Sequence, residues 1–321
     1  MKSRALLIVF TLFTLITARA NADDMYPTRP IRLVVAYAAG GSGDLIARLL
    51  GQQLSVKVGQ QIVVENKPGG GGVIGTDYAA RSLADGYTLY LAATAGPLTA
   101  GSLLGRRDYQ WRSEFKPVAL AAIGHQVLLV SPKLTAKNLK DFIMDAKSEP
   151  NKYNIASIGI GSAPHLASEL FQSKTGTQMV HVPFNGSSAQ AVMALIGGDV
   201  QAFIVGTSTV VPMIQAGQLP ALAVTAQKRI ETIPDVPSFH EQGLDFQYDL
   251  WFAVMAQRGV PDSIVGKLNT AINEIIADAS YVDALKLRGF NTNPASVQDI
   301  EALLDEDTKL NAELVKRLDI K

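Results

Sequence analysis

One stretch, residues 31–54, indicates the fold most clearly and reads IRLVVAYAAGGSGDLIARLLGQQL. Its first part, residues 31–37, is apolar and β-branched and predicts a strand. Its last part, residues 44–54, repeats apolar residues such as Leu45 and Leu49 at the spacing of a helix. A loop of two alanines, three glycines and one serine, residues 38–43, joins the two parts. A strand, a short glycine-rich loop and a helix predict the start of an α/β sheet.

The same order of elements continues outward from that stretch. Further strands are predicted at residues 62–65, 88–93, 127–130, 154–157, 180–183, 202–205 and 221–225. Helices are predicted at residues 76–83, 139–147, 165–175 and 189–196, and the end of the chain reads as helices at residues 263–277, 281–288 and 297–317. Strands this apolar, separated by helices, predict parallel sheets that are covered on both faces.

The length of 321 residues favours two domains over one. We expect lobe 1 to contain residues 23–122 and 227–321 and lobe 2 to contain residues 123–226. Two crossing segments, near residues 118–130 and 222–227, would join the lobes. Two lobes joined in this way enclose a cleft, and open α/β sheets bind ligands at the carboxyl ends of their strands. The loops that follow strands are therefore the candidate binding loops.

Residues 1–22 have the organisation of a secretory signal peptide. Two basic residues precede an apolar run at residues 5–16, and an Ala-Asn-Ala sequence ending at Ala22 supplies the cleavage site. The apolar run is too short to span a bilayer as a helix, although an uncleaved membrane anchor is an alternative. We expect export to the periplasm and a mature chain that begins at about Asp23.

The composition excludes several classes of protein. The chain has no cysteine, which excludes disulfide frameworks, thiolate metal sites and a cysteine nucleophile. Its four histidines lack the spacing of a metal site, so we expect no metal and no cofactor. The 29 basic and 29 acidic residues balance, and loss of the leader would leave a small acidic excess. Such a charge balance does not predict a basic surface for nucleic acid, so we expect no nucleic-acid partner. We also expect a monomer.

The loops after the predicted strands share a neutral chemistry that is rich in hydrogen-bond donors. The first is AAGGSGD at residues 38–44, the second is IGIGSAPH at residues 158–165, and shorter ones lie at residues 184–188 and 206–209. Glycines let backbone N–H groups approach a ligand, and helix N-termini carry unpaired donors and partial positive charge. Because these loops contain no Lys or Arg, they predict a small anion held by neutral dipoles.

Three residues of these loops have a structural explanation as well as a functional one. Asp44 can cap its helix or pair with Arg48 four residues later. Ser162 can cap the helix that begins at Pro164, or it can donate to a ligand. His165 can be a surface or capping residue. Ser162 and His165 could also form a nucleophile and its base.

Residues 70–75 match G-x-G-x-x-G, which is the strongest sign of an NAD-linked enzyme. Four residues separate this motif from the preceding strand, and the next strand ends without the carboxylate that a ribose requires. We therefore interpret the motif as a glycine turn. The chain contains no G-x-S-x-G elbow of a hydrolase. Trp251 lies in an apolar run and reads as a core residue.

From residue 26 to about residue 320, the chain resembles the Bug-type substrate-binding receptors of tripartite tricarboxylate transporters. The motifs that carry the resemblance are YPTRPIR at residues 26–32, GGSGDLIAR at 40–48, VENKPGGGG at 64–72, DGYTL at 85–89, HVPFNG at 181–186, GGDV at 197–200 and PDVPSFHEQG at 234–243. So many motifs in one order make the resemblance specific. It also identifies residues 70–75 as the family's own glycine turn.

The resemblance implies an α/β fold of the two-lobed periplasmic-binding-protein type, a type II-like or Venus flytrap architecture with two crossover strands. It implies a receptor rather than an enzyme, which closes over a small organic carboxylate and delivers it to two membrane transporter subunits. One alternative is a receptor that presents its ligand to a sensor kinase. Another is a secreted hydrolase or an NAD-linked enzyme that uses the same cleft.

The resemblance also implies which residues bind the carboxylate. On one wall they are Tyr37, Gly40, Gly41, Ser42, Asp44 and Thr94, and on the opposite wall they are Ser157, Gly159, Gly161, Ser162, Ala163, His165, Phe184 and Val205. Tyr37, Ala38, Ala39 and Phe184 depart from residues common in the family. Because these departures lie in or beside the proposed pocket, the identity of a relative's ligand does not transfer to this chain.

Overall fold

The computed structural model describes residues 25–99, 110–136 and 138–318, which form two α/β lobes. This arrangement confirms the predicted fold class. The predicted signal peptide, residues 1–22, lies outside the described residues. Within the described ranges, every helix is too short or too polar to span a bilayer.

Each lobe is built on one sheet. The strands are β1 (Ile31–Val35), β2 (Ile62–Asn66), β3 (Thr88–Ala93), β4 (Phe115–Gly124), β5 (Gln126–Val130), β6 (Asn154–Ser157), β7 (Val180–Pro183), β8 (Ala202–Gly206), β9 (Ala221–Val224), β10 (Leu250–Gln257) and β11 (Phe290–Asn291). The sheet of the first lobe has the order β11-β4-β10-β3-β1-β2, and that of the second lobe has the order β7-β6-β8-β5-β9.

Helices connect the strands and cover the sheets. They are α1 (Ser42–Val58), α2 (Val73–Ala80), α3 (Gly96–Thr99), α4 (Trp111–Glu114), α5 (Leu139–Ser148), α6 (Ala163–Thr175), α7 (Ser188–Gly197), α8 (Val211–Gln215), α9 (Asp262–Ala277), α10 (Ala279–Lys286) and α11 (Val297–Leu318). Short 3-10 turns lie at Gly70–Gly72, Thr207–Thr209 and His240–Gln242. Helices α1, α6 and α7 each follow a strand, so their N-termini lie at the carboxyl ends of β1, β6 and β7.

The prediction of parallel sheets was correct for the βα units and wrong for the rest. Strand β1 is parallel to β2 and β3, and β6 is parallel to β7 and β8. In contrast, β10 is antiparallel to β3 and β4, and β5 is antiparallel to β8 and β9. Strand β5 enters the second sheet directly from β4 of the first sheet, so its first residues pair with the last residues of β8 and β9 and it runs opposite to both. Both sheets are therefore mixed.

Strand β10 is absent from the sequence predictions, which read the end of the chain as helical. It lies between β3 and β4, and all of its residues are buried. Leu250 and Phe252 belong to one apolar cluster, while Trp251 and Ala253 belong to another. Because both faces of the strand are covered, its sequence lacks the polar and apolar alternation that would mark it. Trp251 is a core residue, as predicted.

Two passages connect the lobes. In the first, only His125 separates β4 of the first sheet from β5 of the second. In the second, the chain leaves β9 at Val224 and enters the first sheet again at Leu250. Along this passage the N–H of Phe239 donates to the carbonyl of Val224 at 3.1 Å. The lobe limits drawn from the sequence stay a prediction.

Helix α2 lies close to β1 because residue 75 is a glycine. A methyl group there would lie 2.6 Å from the Cα of Ala36 and 2.8 Å from the carbonyl oxygen of Lys67. Since backbone atoms cannot rotate away, we expect Gly75→Ala to lower the free energy of unfolding by about 2 kcal/mol, as measured by urea denaturation.

The matched control is Gly266→Ala in the exposed face of α9, where nothing lies within 4 Å of the added methyl. There alanine is expected to raise the free energy of unfolding by about 0.5–1 kcal/mol, because glycine is a poor helix former. Equal stability of Gly75→Ala and the unsubstituted protein would contradict the close packing of α2 on β1.

Candidate functional site

The two lobes touch each other at loops that follow their strands. Ser42 Oγ in the first lobe lies 2.8 Å from Ser208 Oγ in the second. The N–H of Gly96 in the first lobe donates to the carbonyl of Gly161 in the second at 2.9 Å. Direct hydrogen bonds across the cleft mean that the lobes are closed.

The closed lobes enclose a cavity of about 60 Å³. One water molecule needs about 10–15 Å³ of such space, so the closed cavity suits a small ligand. Its walls are formed by Tyr37, Gly41, Ser42, Gly43, Asp44, Ala93, Thr94, Gln126, Ile158, Ala163, Pro164, Gly186, Ser188, Val205, Gly206, Leu250 and Phe252. No Lys, Arg or His of the described ranges is among them.

The residues implied by the resemblance fall into two groups. Those that line the cavity are Tyr37, Gly41, Ser42, Asp44, Thr94, Ala163 and Val205. Those that do not line it are Gly40, Ser157, Gly159, Gly161, Ser162, His165 and Phe184. The first group comes from both lobes, so the structure brings the two predicted loops together.

Three helices begin at the cavity wall. Ser42 is the first residue of α1, Ala163 is the first residue of α6, and Ser188 is the first residue of α7. All three residues line the cavity. The first N–H groups of a helix have no carbonyl partner within the helix, and the helix dipole adds about half a positive charge at that end. The cavity therefore offers donors and positive potential without a cation, which suits an anion.

Asp44 brings a carboxylate to this wall, and Arg48 neutralises it. Arg48 Nη2 lies 2.8 Å from Asp44 Oδ1 and Arg48 Nε lies 3.0 Å from Asp44 Oδ2, which confirms the predicted ion pair. Burial alone would raise the pKa of Asp44, but hydrogen bonds from Arg48 and the N–H of Gly40 outweigh it and hold the pKa below its usual range. Asp44 is thus ionised and paired at neutral pH. It lies inside the first turn of α1, where Gly41 is the N-cap.

Ser162 and His165 are not arranged as a nucleophile and its base. Ser162 Oγ donates to the carbonyl of Gly159 at 2.6 Å, and His165 Nδ1 accepts from the N–H of Gly161 at 3.1 Å. Ser162 is the N-cap residue of α6, but its side chain makes no capping hydrogen bond. His165 is buried, so of its two structural explanations the surface one is wrong. Both side chains instead stabilise the loop that precedes α6.

Ser157 and the half-buried His181 support the same loop. The rings of His165 and His181 stack with 4.0 Å between their centroids. Ser157 Oγ accepts from the N–H of Gly159 at 3.0 Å and is hydrogen-bonded to His181 Nε2 at 2.6 Å. Burial lowers the pKa of His181 to about 4. This histidine is therefore uncharged at neutral pH and adds no positive charge to the site.

The remaining residues outside the cavity also have structural contacts. The N–H of Gly40 donates to Asp44 Oδ2 at 3.0 Å and so holds the first loop against α1. Phe184 is half-buried and packs against the apolar cluster of the second lobe. Gly40 and Phe184 thus lie beside the site, with contacts that shape its loops.

Part of the cavity wall was missed by sequence reasoning. Gly186, Ser188 and Gly206 belong to loops already recognised as rich in donors, so a signal was present. Gln126 and Leu250 had no such signal, because they begin β5 and β10 next to the two passages between the lobes. Only the closed fold places them at the cavity.

Residues 70–75 form a turn and the start of α2, as interpreted from the sequence. Gly70, Gly71 and Gly72 all have positive φ, a conformation that glycine adopts without strain. Gly75 provides the close contact with β1 described above. The backbone geometry and packing of these glycines account for the motif.

Comparison with known proteins agrees with this architecture. The sequence profile of the tripartite tricarboxylate transporter family receptor matches residues 46–320. Protein BugT of Bordetella pertussis is 39% identical over 89% of this chain and 87% of its own length. The solved structure of an R. palustris protein with adipate has a TM-score of 0.86 and 31% identity, and the match covers 92% of this chain and 98% of that one.

A further solved structure is MatC from Rhodopseudomonas palustris with bound malate. Its TM-score is 0.85 at 29% identity, and the match covers 90% of this chain and all of that one. The family profile spans most of this chain, and the relatives match it in sequence, length and fold. This protein therefore belongs to the family of receptors of tripartite tricarboxylate transporters, the Bug-type receptors that its motifs resemble.

Proposed function

We propose that this protein captures a small organic carboxylate in the cavity between its lobes and delivers it to two membrane subunits of a tripartite tricarboxylate transporter. It performs no chemistry on the ligand. The observation that carries the proposal is the convergence of three helix N-termini on a wall that has no Lys, Arg or His among the described residues. Such a wall favours an anion that accepts several hydrogen bonds, as a carboxylate does.

The relatives support this class of ligand. One solved relative holds adipate and another holds malate, and both ligands are small carboxylates. The two acids differ in length and in the presence of a hydroxyl group. They therefore support the carboxylate class, while the residues of this chain must decide which acid is bound.

Closure of the lobes accounts for capture. We propose that the ligand is bound by Tyr37, Gly40, Gly41, Ser42, Asp44, Thr94, Ser157, Gly159, Gly161, Ser162, Ala163, His165, Phe184 and Val205, either directly or through the loops that these residues form. A ligand that touches both walls only in the closed state shifts the population toward that state by its differential affinity.

The receptors of this family are periplasmic. We propose that this chain is also exported, that residues 1–22 are removed, and that the mature protein from about Asp23 acts as a monomer without a cofactor. Its lobes would be residues 23–122 with 227–321, and residues 123–226. Native mass spectrometry of gently purified protein would report both the mature mass and any bound acid.

The test of function is a thermal-shift panel of mono-, di- and tricarboxylates, with the corresponding amides as matched controls. A carboxylate that binds the folded state raises the melting temperature with its concentration, and the neutral amide leaves it unchanged. Esters and NAD are included as substrates of the alternative functions. Turnover of an ester or stoichiometric uptake of NAD, together with no response to any carboxylate, would overturn the proposal.

The role of the α1 N-terminus can be isolated with Ser42→Pro. Proline fits the first position of a helix, and Gly41 before it has φ −84 and ψ 172, which a following proline tolerates. The substitution removes the N–H and the hydroxyl of Ser42, whereas Ser42→Ala removes only the hydroxyl. We expect Ser42→Pro to bind the acid about tenfold more weakly than Ser42→Ala by calorimetry, because a hydrogen bond to a charged group is lost. Equal affinities would remove this N–H from the site.

A further inference from the structure

Gln126 lies where the two passages between the lobes meet the cavity. It is the first residue of β5, it is fully buried, and it lines the cavity. Its N–H donates to Thr225 Oγ1, and its carbonyl accepts from the N–H of Thr225, both at 2.9 Å. Its Nε2 donates to the carbonyl of Tyr248 at 3.0 Å. The second passage therefore holds both the backbone and the side chain of Gln126.

These bonds leave one polar atom of the side chain without a partner. The carbonyl oxygen of Tyr248 can only accept a hydrogen bond, so the amide nitrogen of Gln126 must face it. No donor within the described residues reaches Oε1, which is buried. A buried acceptor without a donor destabilises the state that buries it, and closure of the lobes is that state.

Neighbouring polar groups of the wall have protein partners. Asp44 is paired with Arg48. Thr94 Oγ1 accepts from the N–H of Trp251 at 2.6 Å. Asp44 Oδ1 makes no hydrogen bond either, but it lies 2.8 Å from Arg48 Nη2 in the ion pair. Gln126 Oε1 is buried at the wall with no donor among the described residues, so in the closed state it loses its hydrogen bond to water without a replacement. A donor on the bound ligand would compensate for this loss.

We propose that Gln126 selects a carboxylate that carries a hydroxyl or ammonium donor over the same acid without that donor. This inference rests on the proposed function of the cavity and adds the chemical class of the ligand. The helix N-termini hold the carboxylate, and Gln126 Oε1 accepts from the hydroxyl or ammonium group. An acid without a donor closes the lobes over a desolvated oxygen and binds about tenfold more weakly.

The experiment is calorimetry on the mature chain with two matched series of acids. The first series is propionate, lactate and alanine, and the second is succinate, malate and aspartate. In the series that binds, we expect the hydroxy acid or the amino acid to bind about tenfold more tightly than the acid with neither group. The hydroxyl and ammonium members show which donor the site prefers. If the wider carboxylate panel gives another ligand, that acid is compared with the analogue in which hydrogen replaces the donor.

Gln126→Met keeps the length of the side chain and removes the acceptor. The ratio of the affinities for the acid with the donor and the acid without it is therefore expected to fall to about one. The matched control is Gln257→Met. Gln257 is also buried, its Nε2 donates to the carbonyl of Ala79 at 2.7 Å, and its Oε1 also lacks a partner, but it does not line the cavity. Discrimination should therefore be unchanged in Gln257→Met.

The possible outcomes separate this inference from the function on which it rests. Equal affinity of the unsubstituted protein for acids with and without the donor overturns the inference, and it does so even if Gln126→Met fails to fold. Discrimination that survives in Gln126→Met overturns it as well. Binding of carboxylates in either case leaves the proposed function standing, whereas no binding of any carboxylate removes both.

Discussion

Gly206→Ala is expected to weaken carboxylate binding by about 100-fold and to leave the stability of the ligand-free protein nearly unchanged. Gly206 ends β8 in the second lobe, and its φ of −56 and ψ of 128 suit any residue. A methyl group there would collide with Ser42 Oγ and lie 3.1 Å from Leu250 Cδ1, and both of these residues belong to the first lobe. The clash arises only when the lobes close. A penalty of about 3 kcal/mol on the closed state corresponds to about 100-fold in affinity.

Calorimetry with the acid found in the thermal-shift panel measures this loss. Small-angle scattering should show that the ligand reduces the radius of gyration of the unsubstituted protein and not that of Gly206→Ala. The control is Gly206→Ala combined with Ser42→Gly, which removes the colliding side chain and is expected to recover most of the affinity of Ser42→Gly alone. Affinity of Gly206→Ala within twofold of the original would show that closure does not bring β8 against α1.

Asp307→Ala is expected to lower the free energy of unfolding by about 3 kcal/mol. Asp307 of α11 is buried, and its Oδ2 accepts from Thr99 Oγ1 at 2.6 Å, from the N–H of Ala95 at 3.1 Å and from Asn311 Nδ2 at 3.0 Å. Alanine would leave these donors buried without their acceptor, at about 1–3 kcal/mol for each one that finds no new partner. Urea denaturation measures the loss. Asp307→Asn retains an oxygen for the same donors and is the control, expected to be much closer to the original stability.

The same two proteins, unsubstituted and Asp307→Asn, test the protonation of Asp307. Burial raises the pKa of this carboxyl, in spite of hydrogen bonds from Thr99, Ala95 and Asn311 that favour its charged form. In the unfolded chain an aspartate has a pKa of about 3.9. Above that pH the unfolded state releases its proton while the folded state keeps it, so stability falls as the pH rises until the folded pKa is passed.

In Asp307→Asn the carboxyl group is replaced by an amide, which does not titrate. We therefore expect the stability of Asp307→Asn relative to the unsubstituted protein to increase from about pH 4 up to the raised pKa of Asp307 and to stay constant above it. Denaturation curves of both proteins at a series of pH values give this difference directly, since all other groups titrate alike in the two chains. A difference that does not change with pH would contradict a raised pKa.

Much of the local structure could be predicted from the sequence. Strands β3, β6 and β7 have the predicted limits, and the predicted helices at residues 44–54 and 165–175 begin two residues late. The donor-rich character of the loops was also readable, because it depends on glycines that precede a helix. The pairing of Asp44 with Arg48 was also predictable, because residues four apart on a helix are neighbours.

Other features could not be read from the sequence. Strand β10 has no alternating pattern because both of its faces are buried in different clusters. The sequence left His165 as a surface or capping residue, and its stacking on His181, sixteen positions away along the chain, could not be read from it. Gln126 and Gly206 face each other in the pairing of β5 with β8, far apart in sequence, and both line the cavity.

By itself, the sequence determined the local elements, the neutral donor-rich loops and the family to which this chain belongs. These features depend on residues that are close along the chain or on motifs that keep their order. Only the tertiary structure decided which loops meet, that three helix N-termini share one small cavity, and that Gln126 Oε1 and Gly206 lie at its wall. The physical reason is that closure brings together atoms from two lobes, and the steric fit and hydrogen bonding of such atoms depend on their distances in space, which no local pattern encodes.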